Sequence, residues 1–407
     1  MLEAVLVSDS ARVNGGAAMV ALSSALGLSK RGVRVTVFAG QGPAEPGLAE
    51  AGVRIACRES IPYNRRPGDR KAWIAGLWDR DAERELKRLL AGMDPRSTVV
   101  HFHTFVDSLS GSVSRVPRRM GFAAVFTSHD YSLGCPYGGY FDYRRRILCP
   151  LEGLSARCWA TNCSTSRYPR KFWRNLRLWL QRARGGAPFA GAAYVFVSEF
   201  SRRRMAHAIP RGARSLVLRN PIEVERAEPS DPSLFAEFAY LGRLSQDKGP
   251  TLLARAAMLA EVPAVFIGEG PEAEAVRAAN PSAELAGWLP REAAMDRLRR
   301  SRALVLPSLV PETLGMAVQE AAAIGVPAVV GDRSASSETV EDWKTGLWFR
   351  HGDEESLAEA LVRLKDAELA ARLGREAYDR FWNDPPTLDR HLDDLIELYE
   401  TMLEGRR

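Results

Sequence analysis

The sequence contains no run of eighteen uncharged apolar residues, which a membrane-spanning helix would need. Its first ten residues, MLEAVLVSDS, carry an acidic residue where a secretory signal peptide carries basic ones. These two absences predict a cytoplasmic protein.

The composition is that of a globular protein, with 46% apolar and 26% charged residues over a length of 407. Because this length exceeds what one hydrophobic core usually supports, we expect two domains. The net charge of +6 favours an acidic partner, such as a nucleotide, an anionic lipid surface or nucleic acid. Basic residues are dispersed outside residues 167–184 and nearly matched by acids, which argues against nucleic acid.

Short β-branched runs alternate with amphipathic helical stretches twice along the chain, a pattern typical of parallel sheets. A polar, Pro-rich segment near residues 220–233 separates the two sets and predicts a linker. We therefore expect an α/β protein with Rossmann-like domains at residues 1–220 and 221–380. The apolar spacing in residues 381–407 predicts a helix that packs back on the first domain.

The segment PSLVPETLGMAVQE places Glu312 and Glu320 around the start of a predicted helix that follows a buried strand. Ligands bind beyond the carboxyl ends of parallel strands, and the amides at a helix start attract phosphate. The amides of Thr313, Leu314 and Gly315 are therefore expected to bind a diphosphate. The alternative is that both glutamates are solvated charges at a helix end.

The segment YLGRLSQDKG places Arg243 and Lys248 after the first strand of the second half. Two cations beside the helix amides would form a diphosphate clamp, whereas either one alone is more simply a surface charge. In the turn AGWLP, the backbone of Trp288 and Leu289 is placed to read the edge of a nucleotide base.

Together these residues resemble the GT-B glycosyltransferases, specifically the retaining family 4. Glu312 and Glu320 match the E-x7-E signature of that family, and GRLSQDKG matches its G-R-x-x-x-x-K-G phosphate loop, residues 242–249 here. The resemblance covers nearly the whole chain and implies two Rossmann-like domains that face each other across a cleft, with a C-terminal helix that crosses back. The family usually has Phe at the position of Leu314.

The resemblance also implies roles for single residues. The donor, a UDP- or GDP-sugar, would bind the second domain, with Glu320 on its ribose and Glu312 on the transferred sugar. His129, after a strand in VFTSHDYS, would contact the donor sugar and is placed with Glu312 among the catalytic residues. A lone histidine is otherwise more often structural.

The first domain would bind the acceptor, a glycan or a lipid-linked sugar. Gly15 and Gly16 resemble the G-G loop of the family, which approaches donor phosphate or acceptor at a helix start, although a glycine pair alone is also found in simple turns. We assign Gly16 to the donor and Gly15 to the acceptor. His103, which ends a strand in HFHT, is expected on the acceptor side.

The function that the resemblance implies is retaining sugar transfer, in bacterial polysaccharide or glycoconjugate synthesis. With no evident nucleophile, a front-face transfer is favoured, and the cationic clamp would make a catalytic cofactor unnecessary. The alternative within the same fold is another reaction, such as nucleotide-sugar epimerisation or a non-glycosidic coupling.

An insertion at about residues 131–187 is longer than an ordinary connection. Cysteines in a reducing compartment favour metal over disulfides, but these lack the paired C-x2-C spacing of zinc ribbons. A structural zinc site and reduced thiols that hold a lid both remain open. The four cysteines concerned are Cys135, Cys149, Cys158 and Cys163.

Residues 167–186, RYPRKFWRNLRLWLQRARGG, predict a basic amphipathic helix. Phe172, Leu176, Trp179 and Leu180 form one apolar stripe at helical spacing. The stripe is expected either to pack on the first domain or to bind an anionic membrane surface, which would place the protein at the inner face of the cell membrane.

Overall fold

The computed structural model describes residues 1–65 and 69–405. Residues 66–68 lie outside the described part, as do residues 406 and 407, which end the predicted C-terminal segment. The described residues form two compact units. The first comprises Met1–Gly139, Pro150–Pro221 and Pro386–Arg407, and the second comprises Tyr140–Cys149 and Ile222–Pro385.

The strands alternate with helices along most of the chain. In chain order, the strands are β1 Glu3–Ser10, β2 Arg34–Gln41, β3 Arg54–Cys57, β4 Thr98–Phe102, β5 Ala123–Ser128, β6 Phe141–Asp142, β7 Ile147–Leu148, β8 Ala193–Phe196, β9 Arg214–Val217, β10 Phe238–Leu241, β11 Ala264–Ile267, β12 Glu284–Gly287, β13 Ala303–Leu306, β14 Ala328–Gly331 and β15 Gly346–Phe349.

The helices lie mainly between consecutive strands. They are α1 Gly16–Lys30, α2 Arg70–Leu77, α3 Arg80–Leu90, α4 Gly111–Ser114, α5 Val116–Met120, α6 Ala156–Ala160, α7 Tyr168–Ala183, α8 Glu199–Met205, α9 Pro250–Ala260, α10 Ala273–Ala279, α11 Arg291–Arg299, α12 Met316–Ala323, α13 Ser336–Thr339, α14 Glu354–Arg363, α15 Ala367–Asn383 and α16 Leu388–Glu404.

The first unit contains a seven-stranded sheet in the order β3-β2-β1-β4-β5-β8-β9, and every neighbouring pair is parallel. The central strands are buried on both faces, as expected for strands covered by helices. The second unit contains a parallel six-stranded sheet in the order β12-β11-β10-β13-β14-β15. In both sheets the order reverses direction beside the first strand, which is where ligands bind in open α/β sheets.

A short antiparallel hairpin, β6-β7, belongs to the second unit although its residues lie within the predicted insertion of the first domain. The sequence predicts that the whole of residues 131–187 belongs to the first domain. Sequence alone does not reveal this difference, because the hairpin is joined at both ends to segments of the first unit.

Helix α16 packs in the core of the first unit, where Leu392, Leu395 and Tyr399 are buried. Their spacing of three and four residues places them on one face of the helix. Leu392 occupies the space where a side chain at Gly27 of α1 would lie, so the glycine permits close packing of the two helices. Within residues 1–65 and 69–405, none of the helices combines the length and hydropathy needed to span a bilayer.

Candidate active site

Two loops meet at the carboxyl edge of the second sheet, one after β10 and one after β13. The amides of Leu309 and Val310 donate to the carbonyl of Asp247 at 2.9 and 3.2 Å. Gly249 has φ +65° and lies against the carbonyl oxygen of Pro307, where a Cβ atom would collide. This contact brings the phosphate loop beside the segment that carries Glu312.

Glu312 is held by two donors. Lys248 Nζ lies 2.7 Å from Glu312 Oε1, and Ser308 Oγ donates to the same oxygen at 2.5 Å. Burial by itself would lower the pKa of Lys248, but the charge of Glu312 and its hydrogen bond raise that pKa above the ordinary value. Lys248 therefore remains a cation, and the Glu312 side chain is fixed beside it.

The helix that follows Glu312 begins at a glycine for a steric reason. Gly315 has φ +82°, a conformation that side chains rarely adopt, and a Cβ atom there would collide with Ser336 Oγ. Gly315 has no side chain that could cap the first amides of α12. The preceding residue, Leu314, is buried. The structure thus places Thr313, Leu314 and Gly315 at the start of a helix beside Lys248, where backbone amides attract phosphate.

Glu320 is buried on α12 and pairs with a residue that the sequence analysis did not identify. Arg291 Nη1 lies 2.6 Å from Glu320 Oε1, and Arg291 Nη2 donates to the carbonyl of Glu223 at 3.0 Å. Arg291 is the first residue of α11 and directly follows the AGWLP turn. This position beside a predicted nucleotide-binding turn is the signal in the sequence that relates Arg291 to the site. It fixes one oxygen of the Glu320 carboxylate.

The remaining donor-side residues are more exposed. The Arg243 side chain is 68% exposed, and its Nη2 lies 3.8 Å from Asp247 Oδ2. Trp288 is 69% exposed, and its amide lies 3.4 Å from Glu269 Oε1, a second residue that the sequence analysis missed. Leu289 packs partly against the core of the unit. The exposed positions are accessible to a ligand.

In the first unit, Gly15 and Gly16 lie at the exposed start of α1. Gly15 precedes the helix without a capping side chain, and a Cβ atom there would meet nothing within 4 Å.

His103 and His129 follow neighbouring strands and contact each other. His103 Nδ1 lies 3.0 Å from His129 Nε2, so one ring donates the hydrogen that the other accepts. Burial lowers the pKa of His129 to about 3 and lowers that of His103 well below its ordinary value. Both rings are thus neutral near pH 7 and act through hydrogen bonds rather than charge.

Asp9, at the end of β1, organises the loop that follows β4. Its carboxylate accepts hydrogen bonds from the amides of Val106, Ser108 and Leu109 at 2.8–3.0 Å. Asp9 was not predicted from the sequence, although an acid at the carboxyl end of a buried strand is a signal for such a role. This loop lies directly after His103.

Two family models match the chain. The model for glycosyltransferase family 4 matches residues 14–226, and the model for glycosyl transferases group 1 matches residues 222–380. The chain belongs to glycosyltransferase family 4. The predicted family is therefore confirmed, and the phosphate loop and both glutamates of this family 4 protein lie within the group 1 match.

Two curated relatives match part of the chain. The O-antigen chain mannosyltransferase C of Escherichia coli is 28% identical over 177 residues, which are 42% of this chain and 47% of the relative. A GDP-mannose-dependent alpha-mannosyltransferase of Corynebacterium glutamicum is 28% identical over 193 residues, 46% of this chain and 45% of the relative. In both cases the chain spans less than half the length of the relative.

Solved structures match this family 4 protein over nearly its full length. The sucrose-phosphate synthase of Thermosynechococcus elongatus has a TM-score of 0.73 at 17% identity, with all of both chains covered. HepE of Anabaena, in complex with UDP and glucose, has a TM-score of 0.67 at 16% identity, with 98% of this chain and 100% of HepE covered. These similarities confirm the predicted α/β fold of GT-B type.

Of the two alternatives left open for the cysteines of the insertion, the structure shows no zinc site among Cys135, Cys149, Cys158 and Cys163. Over the described part of the chain, no three His, Cys, Asp or Glu side chains are arranged to hold a metal ion. Lys171 Nζ instead donates to Cys158 Sγ at 3.4 Å, and its pKa is raised, against burial, by Cys163, Cys158 and Cys135. An ammonium among these thiols would repel Zn²⁺, and Cys149 packs with the other unit.

Helix α7 has its polar side inward. Lys171 and Gln181 are buried on it, whereas Phe172 is 47% and Trp179 is 50% exposed. Of the predicted apolar stripe, Phe172 and Trp179 are therefore exposed, whereas Leu176 and Leu180 are partly buried. Lys171, one of the basic residues of this helix, is only 1% exposed.

Proposed function

We propose that this family 4 protein is a retaining glycosyltransferase that moves a hexose from a nucleotide-diphosphate sugar to a glycan or lipid-linked acceptor in bacterial polysaccharide or glycoconjugate synthesis. The observation that carries this proposal is the pairing of Glu312 with Lys248 at the start of α12. Two curated relatives that are mannosyltransferases support a hexose, and the UDP in the HepE structure supports a nucleotide donor.

In the proposed mechanism, charge that develops on the leaving diphosphate is stabilised by Lys248, Arg243 and the amides that precede α12. The acceptor hydroxyl attacks the anomeric carbon from the face that the diphosphate leaves, and its proton passes to the leaving diphosphate. Glu312 contacts the transferred sugar and fixes Lys248. For His129, His103 and the glycine pair, we keep the roles that the family resemblance implies.

Donor binding is expected to depend on Glu320. Glu320→Ala removes the carboxylate that would accept ribose hydroxyls, and hydrogen bonds to a charged group contribute about 1.5–3 kcal/mol each. We expect the dissociation constant of the nucleoside diphosphate to rise about 10-fold or more. Calorimetric titration with UDP and GDP measures this constant and also identifies the base.

The matched control is Glu292→Ala, which removes an exposed carboxylate one residue after Arg291. It should bind nucleotide like the wild type. If Glu320→Ala and the control bind equally well, Glu320 does not hold the ribose. If the wild type binds neither UDP nor GDP and transfers no sugar from UDP- or GDP-hexoses, the proposed function is wrong.

We further propose that α7 binds an anionic membrane surface, at the inner face of the cell membrane, and so brings the enzyme to a lipid-linked acceptor. The exposed Phe172 and Trp179 fit a lipid boundary, and the exposed Arg167 and Arg170 fit anionic headgroups. Aromatic side chains beside surface cations are favoured at the boundary between lipid and water.

Sedimentation with vesicles that contain phosphatidylglycerol tests this surface. We expect binding that weakens with salt and that falls in Arg167→Glu/Arg170→Glu, since each charge near the surface contributes ~1 kcal/mol. Phe172→Ala/Trp179→Ala should also reduce it, whereas Leu234→Ala, which removes an apolar side chain 74% exposed in the second unit, should not. No sedimentation at low ionic strength would leave a soluble acceptor as the better proposal.

A further inference from the structure

The hairpin β6-β7 carries three consecutive arginines, Arg144, Arg145 and Arg146, in its turn. We name residues 143–146 the arginine turn. All three arginines are exposed, and the hairpin belongs to the second unit, which contains the phosphate loop. The proposed mechanism does not use them.

The hairpin has a well-packed base. Tyr140 and Phe141 are each 1% exposed, and the amide of Cys149 donates to the carbonyl of Tyr140 at 2.7 Å. The turn is closed by the amide of Arg146, which donates to the carbonyl of Asp142 at 2.7 Å. The arginines therefore project from a fixed backbone rather than from a long loop.

The arginine turn lies on the phosphate loop. Gln246 Nε2 donates to the carbonyl of Tyr143 at 3.1 Å. Gln246 is two residues before Lys248 and three residues after Arg243, the two cations assigned to the donor diphosphate. The contact thus joins the turn to the part of the chain that is proposed to bind phosphate.

The arginine turn carries positive charge that acids do not offset. Asp142, the acid within the hairpin, is buried, and its carboxylate accepts the amides of Arg144 and Arg145 at 3.0 and 3.1 Å. Within residues 1–65 and 69–405, none of the three guanidinium groups has a carboxylate within ion-pair distance. In contrast, Lys248 of the phosphate loop is paired with Glu312 at 2.7 Å.

Arg146 also occupies a backbone position that suits glycine. Its φ of +57° lies in the left-handed region, where a glycine would sit without strain. An arginine at this position costs conformational energy, and such costs concentrate at functional sites. The observation agrees with a role for the side chain.

We propose that the arginine turn binds a phosphate group of the ligand at the phosphate loop. The inference rests on the proposed function, since it assumes that a diphosphate binds beside Lys248. Guanidinium groups bind phosphate oxygens through paired hydrogen bonds, which suits a second set of cations around a dianionic group. That phosphate belongs either to the sugar donor or to a phosphorylated acceptor.

Calorimetric titration with inorganic pyrophosphate tests the shared chemistry without assuming a base. The variant is R144A/R145A/R146A, and the matched control is R202A/R203A/R204A, which removes three consecutive arginines from α8 of the first unit. We expect the dissociation constant to rise at least about tenfold in the first variant and to stay within about twofold in the control. Lys248→Ala should also weaken binding, which locates the pyrophosphate at the phosphate loop.

Two further arms identify the source of the phosphate. Weaker binding of UDP or GDP, parallel to pyrophosphate, assigns the turn to the donor. In the other outcome, the triple variant binds pyrophosphate, UDP and GDP like the wild type but binds glucose 6-phosphate at least tenfold more weakly in the presence of UDP or GDP. That result assigns the arginine turn to an acceptor phosphate. If all these affinities match the wild type, the inference is wrong while the proposed function stands.

A wild type that binds neither pyrophosphate nor any nucleoside diphosphate would instead refute the proposed function. Circular dichroism and thermal unfolding establish that the variants are folded. If the triple variant is unfolded, Arg145→Ala alone decides the matter, because Arg145 has φ in the ordinary region and is exposed in the turn. The inference is then overturned if folded Arg145→Ala binds both pyrophosphate and glucose 6-phosphate with the affinity of the wild type.

Discussion

Glu312→Gln is expected to lower kcat by about 10²–10³-fold, the size of effect seen when one group that stabilises developing charge is removed. Glutamine keeps the shape of the side chain but loses the charge that pairs with Lys248 at 2.7 Å. The Lys248 ammonium is then held less firmly in the position from which it would stabilise the leaving diphosphate. The contact between residue 312 and the transferred sugar is also weakened. The donor affinity should change little, because Glu312 acts mainly as charge develops.

Initial rates at varied donor concentration separate the two effects. A fall in kcat with an unchanged KM shows that Glu312 acts in the transition state, whereas a raised KM with an unchanged kcat shows that it acts in donor binding and contradicts the prediction. Ser308→Ala is the graded control, since it removes a neutral donor to the same oxygen and keeps the ion pair. It should cost far less than Glu312→Gln.

The places of Glu312 and Lys248 in the fold were predictable because they follow from strand order and local signals. Glu312 follows a buried strand and precedes the glycine that begins α12, which places it at the carboxyl edge of the second sheet. The spacing of the Gly-Arg and Lys-Gly pairs in the phosphate loop places Lys248 at the same edge. The contact of Glu312 with Lys248 was not predictable in this way. The residues are 64 positions apart, and they meet only because Gly249 lets two loops touch.

The inward face of α7 shows a limit of periodicity. The spacing of Phe172 and Trp179 predicts that α7 has one apolar side, but it does not predict which side of the helix packs against the rest of the first unit. The buried polar side chains are retained because they satisfy backbone groups of neighbouring loops. Arg177 Nη1 donates to the carbonyl of Val106 at 2.8 Å, and Gln181 Nε2 donates to the carbonyl of Ala187 at 2.5 Å. These tertiary partners leave no mark in the local sequence.

Acidification from pH 7 to pH 5 is expected to destabilise the protein by several kcal/mol through its buried histidines. Burial lowers the pKa of His101 and His103 well below the ordinary 6.5 and lowers that of His129 to about 3. Below pH 6.5 the unfolded chain therefore binds protons that the folded chain does not. Each such group costs about 1.4 kcal/mol of unfolding free energy per pH unit, and the loss continues until the pH reaches the folded pKa.

Urea unfolding at pH 7, 6 and 5 measures this slope, and His101→Gln tests its origin. His101 is fully buried, with Nδ1 2.6 Å from the Tyr399 hydroxyl and Nε2 2.7 Å from Thr127 Oγ1. Glutamine does not titrate, so the variant should be less stable at pH 7 but should lose about 1.4 kcal/mol less per pH unit on acidification. Tyr399→Phe removes the hydroxyl partner but leaves the imidazole, so it should keep the wild-type slope. A His101→Gln slope equal to that of the wild type would show that His101 takes up its proton in the folded state, so that its burial does not oppose protonation.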